Sequence, residues 1–296
     1  MMSDGVIVAS GLVGAATVGA GPTSEQRSLI RSLLHGYFGV ADVEVSELEP
    51  RSAADFAALV DVADRKRIVD LLVVLEFCRH PDDDAQASRV EEYARALGVD
   101  EPFLVVARDA LTATQEQVMA DWGRFREPLG HEPGILDADA ALAARLRELG
   151  DLPVGTLGRA YFDFYERWGI AFPGEEGGGD ASLVQHDFCH VLAGYEPDAP
   201  SEVALQAMLT SATNFEHHFS GLVASLALFE SGKFDILEIT PRVAALDRPG
   251  ATDELAEAFR RGASCTGDFS TIDHMMRAHE PIDAVRAECG IPPRGA

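Results

Sequence analysis

Apolar residues recur three and four positions apart along most of the chain, a spacing that predicts helices rather than strands. The first clear case opens on the capping-box pattern Thr23-Ser24-Glu25-Gln26 and continues through Leu29, Ile30, Leu33, Leu34 and Tyr37. The same period returns in Phe56, Leu59, Val60 and Ala63, and again in Ile68, Leu71, Leu72 and Leu75. A run from Asp82 to Leu97 closes on Gly98, a residue suited to the left-handed position after a helix. Asp100 with Pro102 reads as the start of another helix. Further on, one helix ends at Gly150, and a second, Thr156 to Trp168, sets Leu157, Tyr161, Phe164, Tyr165 and Trp168 on one face. Helices are also expected over Ser201 to Thr213 and Phe215 to Phe229. Ile236 to Ile239 could be extended, but it is short and stops at Pro241, and there is no internal repeat. The expected fold class is all-α, a multi-helix bundle joined by short turns.

Punctuation along the chain suggests its division. Glu127 to Gly134, carrying Pro128, Gly130, Pro133 and Gly134, is the expected boundary. It separates a helical region, residues 23–130, from a second helical domain, residues 131–296. Residues 1–22 are expected to form a flexible N-terminal segment. Its apolar run, Val6 to Ala20, is too short and too Gly-rich to span a bilayer. Asp4 stands where a secretion signal would carry basic residues.

Composition then narrows the partners. Lys+Arg number 24 against 49 Asp+Glu, a formal net charge of −25. Such a surface repels phosphate backbones and anionic headgroups, so nucleic-acid binding is not expected. The four cysteines, Cys78, Cys189, Cys265 and Cys289, contain no C-x-x-C pair and read as buried free thiols in a reducing compartment. The expected location is the cytoplasm, with transient membrane association allowed.

One constellation carries chemistry. His186 and His190 are four residues apart, which puts two imidazoles on one helix face about 6 Å apart along the axis. Asp187 can supply a carboxylate or orient a ligand. The helix should stop near Gly194, because Pro197 and Pro200 follow, and Glu202 then falls in the first turn of the next helix. A helix–loop–helix hairpin of this length can fold Glu202 back over the histidines. Two His with one or two carboxylates suit zinc, while Fe(II) or Mn(II) accepts the same set. The plainer account is that an i,i+4 His pair arises by chance and that such histidines only form hydrogen bonds. A metalloprotease is disfavoured, because Asp187 replaces the glutamate of H-E-x-x-H with a shorter arm. His217-His218, His274 and His279 are expected to be surface residues.

His186-Asp187-Phe188-Cys189-His190, then eleven residues to Glu202, resembles the H-D-x-x-H-x11-E signature of the coenzyme Q (ubiquinone) biosynthesis protein 4 family. Leu152 to Tyr161 is similar to the segment before that family's metal helix, and Ala284 to Pro293 to its closing helix and tail. The first 130 residues carry no such match. The resemblance implies an all-α fold that binds zinc through His186, Asp187, His190 and Glu202. It implies action on a prenylated aromatic acid or quinone precursor, with the C1 carboxyl group removed and replaced by hydroxyl. The alternative it leaves open is a non-catalytic lipid- or quinone-binding scaffold that organises other biosynthetic enzymes, and it suggests a homodimer. The aromatic face of Thr156–Trp168 and the Phe215–Phe229 helix could line a prenyl groove, although core packing is the expected role for both.

Overall fold

The computed structural model describes residues 3–81, 83–99, 139–178, 181–212, 215–232 and 242–295. Asp82, Asp100 with Pro102, the boundary Glu127 to Gly134, and Ile236 to Ile239 lie outside them. The described residues form twelve α-helices and no strands, so the fold is all-α.

The first five helices are α1 (Gly5–Ala16), α2 (Ser24–Ser32), α3 (Ala53–Leu59), α4 (Arg65–Phe77) and α5 (Asp84–Leu97). The Thr23 capping box forms as expected, with Thr23 Oγ1 accepting from Gln26 N and Gln26 Oε1 accepting from Thr23 N. α5 stops at Gly98 in the left-handed conformation. Leu59 departs from its expected inward face: it ends α3 and is 47% exposed.

The N-terminal segment corrects the expectation of flexibility. Residues Gly5–Ala16 are a capped helix, with Asp4 accepting from Val6 N and Ile7 N. Ten of its twelve residues are buried. The small residues that disqualify this run as a bilayer span are what let it enter the core. A side chain at Gly11 would overlap the Phe56 ring, and one at Gly14 would meet the Arg51 carbonyl and the Tyr93 hydroxyl.

The remaining helices are α6 (Ala140–Glu148), α7 (Leu157–Trp168), α8 (Ala181–Ala193), α9 (Ala199–Ala212), α10 (Phe215–Phe229), α11 (Ala251–Ser264) and α12 (Ile282–Glu288). α9 lies between α10 and α11, α11 packs on α2 and the π-helical turn Leu33–Tyr37, and α10 packs on α4. The described parts of regions 23–130 and 131–296 therefore share one apolar core, running from Val8 to Ile291. Tyr161, Phe164, Tyr165, Leu222, Val223 and Leu226 all belong to it, so these stripes are core. Trp168 does not: it is 44% exposed and donates from Nε1 to Glu196. All four cysteines are free and buried. Among the described residues no helix is long and apolar enough to cross a membrane.

Candidate metal centre

α8 buries Val184, Phe188, Cys189 and Leu192, which leaves His186, Asp187 and His190 directed toward α9 and α7. The helix ends where the sequence says it should. Gly194 takes φ +75°, and the amides of Gly194 and Tyr195 both donate to the His190 carbonyl. Asp198 then caps α9, its carboxylate accepting from Ser201 N at 3.0 Å, and Glu202 enters the first turn. A carboxylate is favoured there by the helix dipole.

The turn folds Glu202 back onto both histidines. Its Oε2 lies 3.2 Å from His190 Nε2 and 3.5 Å from His186 Nε2. The two imidazole rings stand edge to face, 4.7 Å apart. Ligand-capable atoms of His186, Asp187 and His190 also lie within 4.8 Å of one another. The hairpin thus brings together all four residues singled out in the sequence.

Each imidazole uses its other nitrogen to hold itself in place. His190 Nδ1 donates to the Tyr195 carbonyl at 3.2 Å. His186 Nδ1 faces Asp187 Oδ1 at 3.1 Å. The second Asp187 oxygen, Oδ2, accepts from the Tyr165 hydroxyl. Tyr165 escaped the sequence reading, which saw only an apolar stripe on α7; a buried phenol needs a partner, and that requirement was the available signal.

Charge and burial are in tension here. Burial alone would push the His186 imidazolium down, but its hydrogen bond with Asp187 and the charges of Glu202 and Asp187 raise it to about 9. Burial would likewise raise Glu202, yet His190 and His186 hold it below the usual carboxylate range. An ion-pair cluster with a protonated His186 would account for that much. His190 is 1% exposed, and its buried Nε2 faces Glu202 Oε2 at 3.2 Å without hydrogen-bond alignment. With Nδ1 committed to Tyr195, Nε2 and the Glu202 carboxylate face each other, an arrangement a cation bound between them would satisfy. Tetrahedral zinc with bonds of about 2.0–2.1 Å sets neighbouring ligand atoms about 3.3–3.4 Å apart, close to both observed edges. The donor set fits a divalent ion.

The other histidines correct the expectation of exposure. His218 is buried and pairs through Nε2 with Asp268 Oδ2 at 2.7 Å. Burial would raise Asp268, but hydrogen bonds from His218 and Ser270 hold its carboxyl down to about 2. His274 is buried and stacks on Phe188 of α8. Only His279 is exposed as expected, while the His217 side chain lies outside the described residues. Both buried imidazoles sit where distant segments supply a partner, which sequence spacing does not reveal. A surface cleft of about 770 Å³ lies elsewhere, lined by Val6, Val43, Arg51 and Leu59, and none of the cluster residues borders it.

Fold and site define an all-α protein with a candidate metal centre in a helix–loop–helix hairpin. No protein-family model matches the chain, and no curated protein matches it. A solved structure of a Nostoc punctiforme protein provisionally assigned to ubiquinone biosynthesis superposes with a TM-score of 0.35 at 16% identity. That alignment covers 78% of this chain and 99% of the other. The likeness is distant, and no function is carried across from it.

Proposed function

We propose that His186, Asp187, His190 and Glu202 form a centre for one divalent ion, zinc foremost with Fe(II) or Mn(II) as substitutes, and that the protein acts on a carboxylated aromatic precursor of a quinone. The observation that carries the metal is the convergence of the buried His190 Nε2 and of His186 Nε2 on one oxygen of Glu202, at 3.2 and 3.5 Å. The substrate class rests on the resemblance of His186–Glu202 and its two flanking segments to the ubiquinone-biosynthesis family. A bound divalent ion supplies Lewis acidity toward an anionic oxygen of such a substrate. The chain's own part is orientation: Tyr195 fixes the tautomer of His190, Asp187 fixes the ring of His186, and α9 carries Glu202 to both. The reaction proposed is loss of the ring carboxyl as carbon dioxide with hydroxyl in its place. This is a two-electron oxidation, so the assay must supply dioxygen or another oxidant.

One observation favours a second, structural reading. His190 is fully buried and Glu202 bridges α8 to α9, so an ion there would also clamp the hairpin. The test has two parts. Purified protein is analysed for metal, then metal-loaded protein is incubated with a prenylated 4-hydroxybenzoate and an oxidant while carbon dioxide and product are followed. Stoichiometric metal with product formation supports the enzyme. Stoichiometric metal without product, joined to unfolding of His190→Ala, supports the scaffold. Absence of stoichiometric metal removes both.

A further inference from the structure

The four residues of the cluster are not equivalent, and which atoms face which decides their roles. His186 and His190 both turn Nε2 toward the same oxygen, Glu202 Oε2, at 3.5 and 3.2 Å. Both turn Nδ1 away from it, toward a fixed acceptor: Asp187 Oδ1 for His186 and the Tyr195 carbonyl for His190. Asp187 therefore stands behind the His186 ring, on the side opposite the Nε2 that meets Glu202. Its remaining oxygen is engaged by Tyr165, whose ring is buried and stacked on Phe172 at 4.5 Å. The Tyr165 hydroxyl is the donor in this contact, so both Asp187 oxygens are engaged within the protein. A carboxylate on the distal nitrogen of a metal-binding imidazole is the usual outer support of such a ligand, fixing its tautomer and orientation.

We infer that the ion is held by three protein ligands, His186 Nε2, His190 Nε2 and Glu202, with Asp187 and Tyr165 as positioning residues outside the coordination sphere. This rests on the metal reading above and sharpens it. Two imidazoles and one carboxylate leave at least one position for an exogenous donor, the arrangement of catalytic rather than closed structural sites. The exposure of the side chains agrees: His190 is sealed, whereas His186 is 28% exposed and is the ligand nearest solvent. The position suits an anionic oxygen, such as a carboxylate or phenolate, because a divalent ion with one carboxylate ligand keeps net positive charge.

The test uses the full chain loaded with Co(II), whose visible bands report coordination. Titrating acetate or azide into the wild type should shift those bands saturably. A spectrum indifferent to both anions would mean a closed shell and overturn the inference. Asp187→Asn keeps an acceptor for the His186 Nδ1–H but is a poor ligand, so it should retain one equivalent of metal with affinity weakened about 10–100-fold. Tyr165→Phe should weaken affinity in the same direction and by less, and the two changes together should be less than multiplicative. Glu202→Ala should abolish binding. Loss of metal from Asp187→Asn as complete as from Glu202→Ala would make Asp187 a direct ligand and defeat the inference while leaving the metal centre standing. Failure of the wild type to bind metal would defeat the parent reading instead. The anion titration needs no variant, so misfolding of Asp187→Asn does not remove the test.

Discussion

A single buried imidazole behind the candidate site sets an acid limit on stability. His274 stacks on Phe188 with ring centres 5.1 Å apart, and its Nε2–H donates to the Phe269 carbonyl at 2.9 Å. Burial lowers it to about 4, opposed by the Phe269 carbonyl and Asp273 and assisted by the Arg277 charge. An unfolded histidine titrates near 6.5. Between those values the unfolded chain binds the extra proton, so this contribution is whole above about pH 6.5 and lost as pH falls toward 4. Full loss is at most about 3 kcal/mol. Urea unfolding of wild type and His274→Gln, both with chelator, should therefore show a steeper decline for wild type between pH 7 and 4.5. Parallel declines would exclude His274 as the source. This residue's role was not legible in the sequence, because the Phe188 ring that covers it comes from a distant segment, and a lone histidine five residues from its carbonyl acceptor looks like a surface group. His186 and His190 were legible because their partners are local: one helical turn relates them, and one short hairpin brings Glu202.

Helix starts and stops were legible for the same local reason, as Thr23, Gly98 and Gly194 show. What holds the helices against one another was not. The last carbonyls of α8 are met by three arginines from far along the chain: Arg286 donates to Val191 and Leu192, Arg261 to Ala193, and Arg294 to Gly194. Cations at this end also complement the helix dipole. Arg261 is 4% exposed and serves the Pro292 carbonyl too. Arg261→Met keeps much of the apolar stem and removes the donors, so it should cost about 1–3 kcal/mol, visible as a lowered urea midpoint. A midpoint within error of wild type would mean that water replaces the guanidinium without loss. The partner helix of the hairpin depends on a close approach instead. A Cβ at Gly262 of α11 would overlap the Met208 carbonyl and Ser211 Oγ of α9. Gly262→Ala should raise helix propensity yet still destabilise, by about 1–3 kcal/mol, because α9 must move away. A rise in melting temperature would show that propensity wins and that the two helices are free to separate.

At the scale of the molecule, α1 decides whether the chain is a core with an appendage or one continuous core. Its alternating small and aliphatic residues defeat amphipathic reading, since a helix buried on every side shows no polar face to give it away. Val8, Leu12, Ala15 and Ala16 are each 0–1% exposed, and Val13 is 7% exposed. Burial of the Val and Leu side chains alone is worth about 1.5–3 kcal/mol apiece, which for three of them is comparable to the whole stability of an ordinary domain. The net charge of −25 leaves little reserve, because self-repulsion already opposes the compact state. Deleting residues 1–22 should therefore abolish cooperative thermal unfolding, followed by circular dichroism, rather than lower its midpoint by a few degrees. Restoring screening with about 1 M salt, where the Debye length is about 3 Å, should recover stability in the full chain and not in the truncated one. A truncated chain that melts cooperatively near the wild-type temperature would return these residues to the status of a flexible leader and separate them from the core that supports α8 and α9.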